Sequence, residues 1–215
     1  MVNPLGNRKV LIGLGLVILV AIAAGFVYLR GRDEEGSTVG EEPPKESLLA
    51  RNSLSFTGAG DYTFDVFPPL GWARTDDEDV DLRIGALSPD IIPSTEDEFT
   101  ANILFSVYTH EEISASSIED YAADWKPYLL SYYPSINFVN DYQTKIGGLS
   151  VYVVEMTQPL DGVMMHQMQY IFWLDRDYAL FVTVTSLDSA WNKHKDGISD
   201  SIKSIELDLS DSPSN

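Results

Sequence analysis

The chain has 215 residues, 44% hydrophobic and 11% aromatic, which suits one ordinary domain with appendages and excludes global disorder. Its 33 acids all lie at Asp33 or later, and four of its 14 bases (Arg8, Lys9, Arg30, Arg32) come before them. Beyond Arg32, 33 acids face 10 bases (14 less those four), a formal charge of −23 that repels nucleic acid and anionic headgroups. A salt-adapted proteome is an equally simple source of that charge. There is no cysteine, which removes disulfides, thiol catalysis, thiolate metal sites and a lipid-modified cysteine together.

After a short tail (1–9), residues 10–29 read VLIGLGLVILVAIAAGFVYL, twenty residues without a charge. At ~1.5 Å per residue such a helix is about 30 Å long, the thickness of a hydrocarbon core. Arg8 and Lys9 precede it, Arg30 and Arg32 follow it, and Tyr28 sits at an interfacial position. The run has no polar face, unlike a buried soluble helix. Ala21-Ile22-Ala23 resembles a cleavage site, but the apolar run continues six residues past it, so an uncleaved single-pass anchor is favoured. The flanking positive charges are nearly balanced. With so short a tail, the arrangement favoured is a cell-membrane anchor with the bulk of the chain on the extracytoplasmic side.

Residues 30–55 are rich in Glu, Gly, Pro and Ser, and read as an acidic flexible linker. Within it, Leu48-Leu49-Ala50 could dock or form one turn; exposed linker is the simpler reading. The soluble domain is expected over 56–209, and 210–215 as a polar tail.

In that domain, 62–67 alternates as a strand and Pro68-Pro69 stops it, before a turn at Gly71-Trp72. Further strands are expected at 82–87 and 101–108. A helix follows from about Ser117, capped by Ser116 or Ser117 with Glu119 or Asp120 in capping-box position. Ile118, Tyr121, Ala122, Trp125 and Leu129 recur at helical spacing, and Pro127 should kink or split that helix. Four strands come next: 136–145, 149–157, 163–174 and 178–186. Gly147-Gly148, Asp161-Gly162 and Asp175-Arg176-Asp177 separate them, which gives an antiparallel meander. A last helix starts at Asp188 or Ser189 and turns Trp191, Ile198 and Ile202 inward. Blocks of strands with helices between them imply α+β: a central, mainly antiparallel sheet flanked by helices.

Four segments in this order carry a resemblance: Phe67-Pro68-Pro69-Leu70-Gly71-Trp72, Ala101-Asn102-Ile103, Lys145-Ile146-Gly147-Gly148, and Asp200-Ser201-Ile202-Lys203-Ser204-Ile205. The set, over 62–207, resembles PsbP-like and DcrB-like domains. The resemblance implies an α/β/α sandwich that works by docking on partners rather than by catalysis, and it supplies no active-site residues. The chain departs from lipoprotein members in having the apolar segment where they carry an anchoring cysteine.

The chemistry-bearing residues are sparse. His110, His166 and His194 show no metal-ligand spacing, and no nucleophile elbow, P-loop or dinucleotide glycine pattern occurs. No cofactor is expected. Asp76, Asp77, Asp79 and Asp81 could supply oxygens to a hard cation such as Ca²⁺, though the run lacks the glycine and closing glutamate of an EF-hand. Three methionines, Met164, Met165 and Met168, lie in one strand, with Met164 and Met168 on one face and Met165 on the other. At least one should be core. The aromatic helix residues Trp125, Tyr128, Tyr132 and Tyr133 outnumber what one buried stripe needs, and they are the expected partner-binding surface. The reading that follows is a membrane-tethered, non-enzymatic binding or assembly domain with a membrane-associated protein partner. A small-ligand or Ca²⁺ carrier is the alternative, and a hydrolase is the remote one.

Overall fold

The computed structural model describes residues 48–75, 79–174 and 177–208. The expected membrane helix at 10–29, the linker up to residue 47 and the tail 210–215 lie outside the described residues. Among the described residues no helix is long and apolar enough to cross a membrane.

Twelve strands are described: β1 Leu54–Thr57, β2 Thr63–Val66, β3 Trp72–Thr75, β4 Leu82–Ala86, β5 Asp90–Ile91, β6 Glu98–Phe99, β7 Asn102–Thr109, β8 Asn137–Ile146, β9 Leu149–Leu160, β10 Val163–Trp173, β11 Tyr178–Leu187 and β12 Glu206–Asp208. Three α-helices accompany them: α1 His110–Ile113, α2 Ile118–Tyr132 and α3 Trp191–Lys203. Seven strands form the main sheet, in the order β3-β4-β7-β11-β10-β9-β8, and every neighbouring pair is antiparallel. β1, β2 and β12 make a separate three-stranded sheet.

The two faces of the main sheet follow from the register. Tyr142, Val153, Tyr170, Val182, Phe105 and Leu82 stand opposite one another across the strands, so they share one face. That face packs against Ile198 and Ile202 of α3 and against Phe56, Phe64 and Val66 of the small sheet. The neighbouring row, with Tyr152, Ile171 and Phe181, faces the other way and meets Ile118, Tyr121, Trp125 and Leu129 of α2. The helices therefore cover opposite faces of an antiparallel sheet, the α/β/α arrangement that the resemblance implies.

The turns explain the registers. Gly147 and Gly148 have φ of 57° and 84°, and Asp161 and Gly162 have 49° and 84°. Both pairs are type I′ turns, whose twist matches the flanking strands. In such a two-residue turn the flanking residues form a hydrogen-bonded pair, here Ile146 with Leu149 and Leu160 with Val163. Pro159 then directs its missing donor toward β8, but β8 starts opposite Thr157. No ladder bond is lost, and β9 runs three residues past the expected end at residue 157.

Three expectations need correction, and one short strand was unforeseen. α2 continues through Pro127 rather than splitting there. Pro127 and Ala123, the residue whose carbonyl loses its partner, are both exposed, so water can satisfy that oxygen. The linker ends earlier than residue 55: Leu70 donates to the Leu48 carbonyl, Ala50 donates to that of Pro68, each at 2.8 Å, and β1 follows. Polar composition concealed a strand whose single buried side chain is Phe56. β3 opens at Trp72 where only a turn was expected, because four residues give too little alternation to read. β12, finally, is a three-residue edge that completes the small sheet.

One glycine is needed for space rather than for its φ. A Cβ on Gly58 would stand 2.2 Å from Val107 Cγ2 and 2.8 Å from Asp81 Oδ2. Gly58→Ala should therefore destabilise the domain by about 1–3 kcal/mol, the usual cost of overpacking, read as a lowered urea midpoint. An unchanged midpoint would show that β7 and its neighbours yield freely there.

Candidate docking surface

The expected aromatic surface on α2 divides in two. Ser117 caps the helix by accepting from the Asp120 amide at 3.1 Å, which fixes where the turn count begins. Ile118, Tyr121, Trp125 and Leu129 then fall on one stripe and are buried. Trp125, at 2% exposure, is core rather than partner surface. It meets Phe138 edge-on at 6.0 Å because position 125 lies on the same stripe as Tyr121. Tyr133 is half-buried and packs on that core. Tyr128 and Tyr132 remain, their ring centroids 4.9 Å apart, with Tyr132 50% exposed. Burial, then the neighbouring Tyr132, pushes the Tyr128 phenol up to about 12.

The opposite flank of α2 leans on β8. Lys126 pairs with Asp141, and Gln143 donates to Glu119 at 3.3 Å. Lys126 holds the Asp141 carboxyl below the ordinary carboxylate range, and the Tyr152 hydroxyl, donating at 2.9 Å, assists. At 3.6 residues per turn, Tyr128 and Tyr132 project from the side of the helix away from Lys126 and Glu119. They do not belong to the β8 side.

β8 is the last strand of the sheet and the most exposed of its long ones. The hydrogen-bonded pair at Ile146 sets the parity, so Thr144 and Tyr142 also bond to β9. Asp141, Gln143 and Lys145 direct their amides and carbonyls outward, away from the sheet. Among the described residues no backbone group pairs with those three amides. The strand carries one irregularity, between Phe138 and Asn140, and Val139 and Tyr142 beside it are 51% and 45% exposed. Next to this edge, between β8 and α3, lies a cleft of about 370 Å³. Tyr142, Ile146, Val153, Tyr170 and Ile202 give it apolar walls, and Lys203 and the backbone end of β8 at Lys145 also line it. A second hollow, of about 600 Å³, is a wide, shallow acidic surface by Glu111, Asp120 and Asp124 at the start of α2.

The three histidines are each committed to a structural partner. His166 Nδ1 lies 3.0 Å from Asp188 and Nε2 2.9 Å from Glu155, with the ring stacked on Trp191 at 4.1 Å. His194 Nε2 lies 2.7 Å from the buried Asp90, which also accepts from Lys193. His110 Nε2 meets the Tyr178 carbonyl at 3.0 Å, and its ring stacks on Trp173. These contacts tie α3, β5 and α1 to the sheet. They leave none of the three imidazoles paired with a hydroxyl nucleophile of the kind a hydrolase requires.

Of the proposed cation ligands, Asp76 and Asp77 lie outside the described residues. Asp81 Oδ2 accepts from the Val107 amide at 2.7 Å, tying the loop before β4 to β7. Burial raises its carboxyl above the ordinary range despite that bond. Among the described residues no three His, Asp or Glu side chains converge as a metal site. Of the methionines, Met165 is core, Met168 half-buried and Met164 exposed. Sequence reasoning missed the open edge and its cleft. The alternation of residues 136–145 was visible, but nothing in it distinguished an edge strand from a central one.

No family model and no curated protein sequence matches the chain. Solved structures do. LpqN of Mycobacterium tuberculosis, a protein involved in cell envelope biogenesis, superposes with a TM-score of 0.53 at 14% identity, over 73% of this chain and 90% of its own. The cyanobacterial PsbP, CyanoP, of Synechocystis sp. PCC 6803 superposes at 0.50 and 14% identity, over 79% and 98%. The fold is PsbP-like.

Two outcomes test the geometry. Trp125→Ala should cost about 3–5 kcal/mol, and Tyr132→Ala should stay within about 0.5 kcal/mol, both by urea unfolding. Equal costs would contradict the division of the aromatic helix. Burial raises the phenols of Tyr108, Tyr121, Tyr152 and Tyr170 above the ordinary value. Neutral phenols in the fold against phenols near 10 when unfolded give stability that is full below about pH 10 and lost as pH rises through the raised values. Ultraviolet titration should therefore show a late group of tyrosines that ionises together with loss of circular dichroism. Ionisation of all tyrosines near pH 10 with the fold intact would contradict their burial.

Proposed function

We propose that the chain is a membrane-tethered, non-enzymatic docking domain that binds a membrane-associated protein through the β8 side of its sheet. The observation that carries this reading is the ten-residue edge strand, open along its outer side, with Val139 and Tyr142 exposed beside it. An uncovered edge is a liability that native proteins shorten, charge, bulge or cover, and β8, despite its irregularity at Phe138–Asn140 and its charged Asp141 and Lys145, keeps ten residues of it. A partner that covers it removes the liability.

Two further features support the reading. The apolar run at 10–29, with its flanking basic residues, would hold the domain within reach of a bilayer, and the acidic segment after it would serve as a tether. The domain then faces the extracytoplasmic side. Among proteins of the same fold, LpqN is involved in cell envelope biogenesis. That is the class of process in which a tethered docking domain fits, and it is borrowed from a protein sharing 14% identity.

Photo-crosslinking in native membranes, with a reactive group at Val139 or Tyr142 and mass spectrometry of the products, tests the reading. A membrane protein crosslinked from these positions, and not from Glu111 on the far hollow, is the expected result. Absence of any crosslinked protein from β8 would end the proposal. Protease treatment of spheroplasts should degrade the domain while leaving cytoplasmic proteins intact; a protected domain would overturn the extracytoplasmic placement.

A further inference from the structure

The register shows which strand ends lie together. Trp72 stands opposite Ala86, Gly85 opposite Asn102, and Asn102 opposite Thr185. Leu187 stands opposite Met165, Val163 opposite Leu160, and Asn137 opposite Thr157. The starts of β3, β7, β8 and β10 and the finishes of β4, β9 and β11 therefore form one end of the main sheet. Exposed apolar side chains gather there. Leu70 precedes β3 and Leu87 follows β4, 60% and 65% exposed, and the Leu87 amide donates to the Gly71 carbonyl at 2.9 Å. Leu48, whose carbonyl accepts from the Leu70 amide, is exposed beside them. Met164 is exposed where β10 begins, and Leu130 and Tyr132 in the last turn of α2, which leads into the start of β8. At the opposite end, around Thr109, Gly147-Gly148 and Tyr178, no large apolar side chain is exposed among the described residues.

Three observations choose what this end meets. The first is where the described chain begins, which is Leu48, among these side chains. Given the tether proposed above, on which this inference rests, residues 30–47 would lead from the bilayer to that point. A flexible chain of that length averages about 23 Å between its ends. The second is spread. Seven strands at ~4.8 Å spacing make the end about 29 Å wide, with the leucines around β3 and β4 at one side and Tyr132 toward β8. No groove joins them, since both hollows described above lie toward the other end. A planar surface reaches all of them, and an extended peptide does not.

The third observation is charge. Glu96, Asp97 and Glu98 of the β5–β6 hairpin, Asp161 and Asp188 are exposed at this end, against Arg51, Lys193 and Lys195. An excess of acids opposes an anionic lipid surface. It also opposes a second copy of a domain whose formal charge is −23. An uncharged surface is the one that fits.

We propose that this end of the sheet rests on the bilayer that holds the apolar segment, with Leu48, Leu70, Leu87 and Met164 entering the headgroup layer of an uncharged lipid surface and Tyr132 at its boundary. Tyrosine, apolar with one polar tip, suits the membrane–water interface, and leucine suits the layer beneath. The strands then stand away from the bilayer, and β8 opens sideways toward a partner in the same membrane.

The chain has no cysteine, so single introduced thiols can be labelled cleanly. An environment-sensitive fluorophore goes on Leu70→Cys, Leu87→Cys or Tyr132→Cys, with Glu111→Cys and Lys145→Cys as controls at the opposite end. All five positions are exposed, and circular dichroism checks the fold of each variant. The full chain is studied at one copy per phosphatidylcholine nanodisc. The first three labels should emit at shorter wavelength and be quenched by nitroxide-bearing lipids, and the two controls should do neither. Adding Leu70→Asp and Leu87→Asp to the Tyr132→Cys chain should abolish its quenching without changing incorporation. Anionic phosphatidylglycerol should weaken the quenching, and added salt should restore it, because the opposing force is screened charge. Equal quenching at both ends, or quenching strengthened by phosphatidylglycerol, would overturn the proposal. So would a blue shift seen only in discs that hold two copies, since a second chain would then be what covers this end. If the chain enters the discs and the three labels stay unquenched, the orientation fails and the tether stands. If the chain stays out of the discs, the tether fails and this inference with it.

Discussion

A β-sheet that does not close on itself must end twice, and each end leaves a row of backbone groups without partners. This domain treats its two ends differently. At one end β3 is four residues long, which limits what could pair with it. At the other end β8 is ten residues long and its side chains are exposed almost throughout. The rest of the architecture makes β8 what it is. The type I′ turn at Gly147-Gly148 sets its parity, α2 braces one face through Lys126–Asp141 and Glu119–Gln143, and a cleft lies between it and α3 on the other. The cleft is the space that α3 leaves.

The sheet's interior explains why the edge stays in place without a neighbour. β11 is buried along nearly its whole length, β10 along most of it and β9 along half, and the two helices bury opposite rows of the same strands. Polar groups inside this core are mostly paired. Gln167 accepts from Gln158 and donates to Thr185, and His166 bridges Glu155 and Asp188. A rigid sheet of this kind can present one strand at fixed register, which a mobile loop cannot do.

The sequence was most informative where periodicity and turn chemistry agreed. Gly147-Gly148 and Asp161-Gly162 marked both tight hairpins, and the apolar alternation between them placed the meander. Trp191, Ile198 and Ile202 placed the last helix, and the ordered motifs around Pro68, Asn102, Gly147 and Ser201 led to the fold. Short strands were not legible. Leu54–Thr57 buries one side chain and Glu206–Asp208 is three residues long, so neither has a period to detect. The α2 aromatics show a different limit. Spacing alone puts Trp125 and Tyr128 on one helix, and the sheet beneath decides that Trp125 is core while Tyr128 and Tyr132 turn outward. The edge character of β8 was hidden for the same reason, because strand order is a property of the assembled sheet.

The openness of β8 is measurable directly, amide by amide, through hydrogen exchange on the full chain. The isolated protein should show slow exchange at Tyr142, Thr144 and Ile146, which bond to β9, and fast exchange at Asp141, Gln143 and Lys145. In native membranes, with the partner present, the second group should become slow as well. Slow exchange at Asp141, Gln143 and Lys145 in the isolated protein would mean the edge is already covered, and would contradict the account.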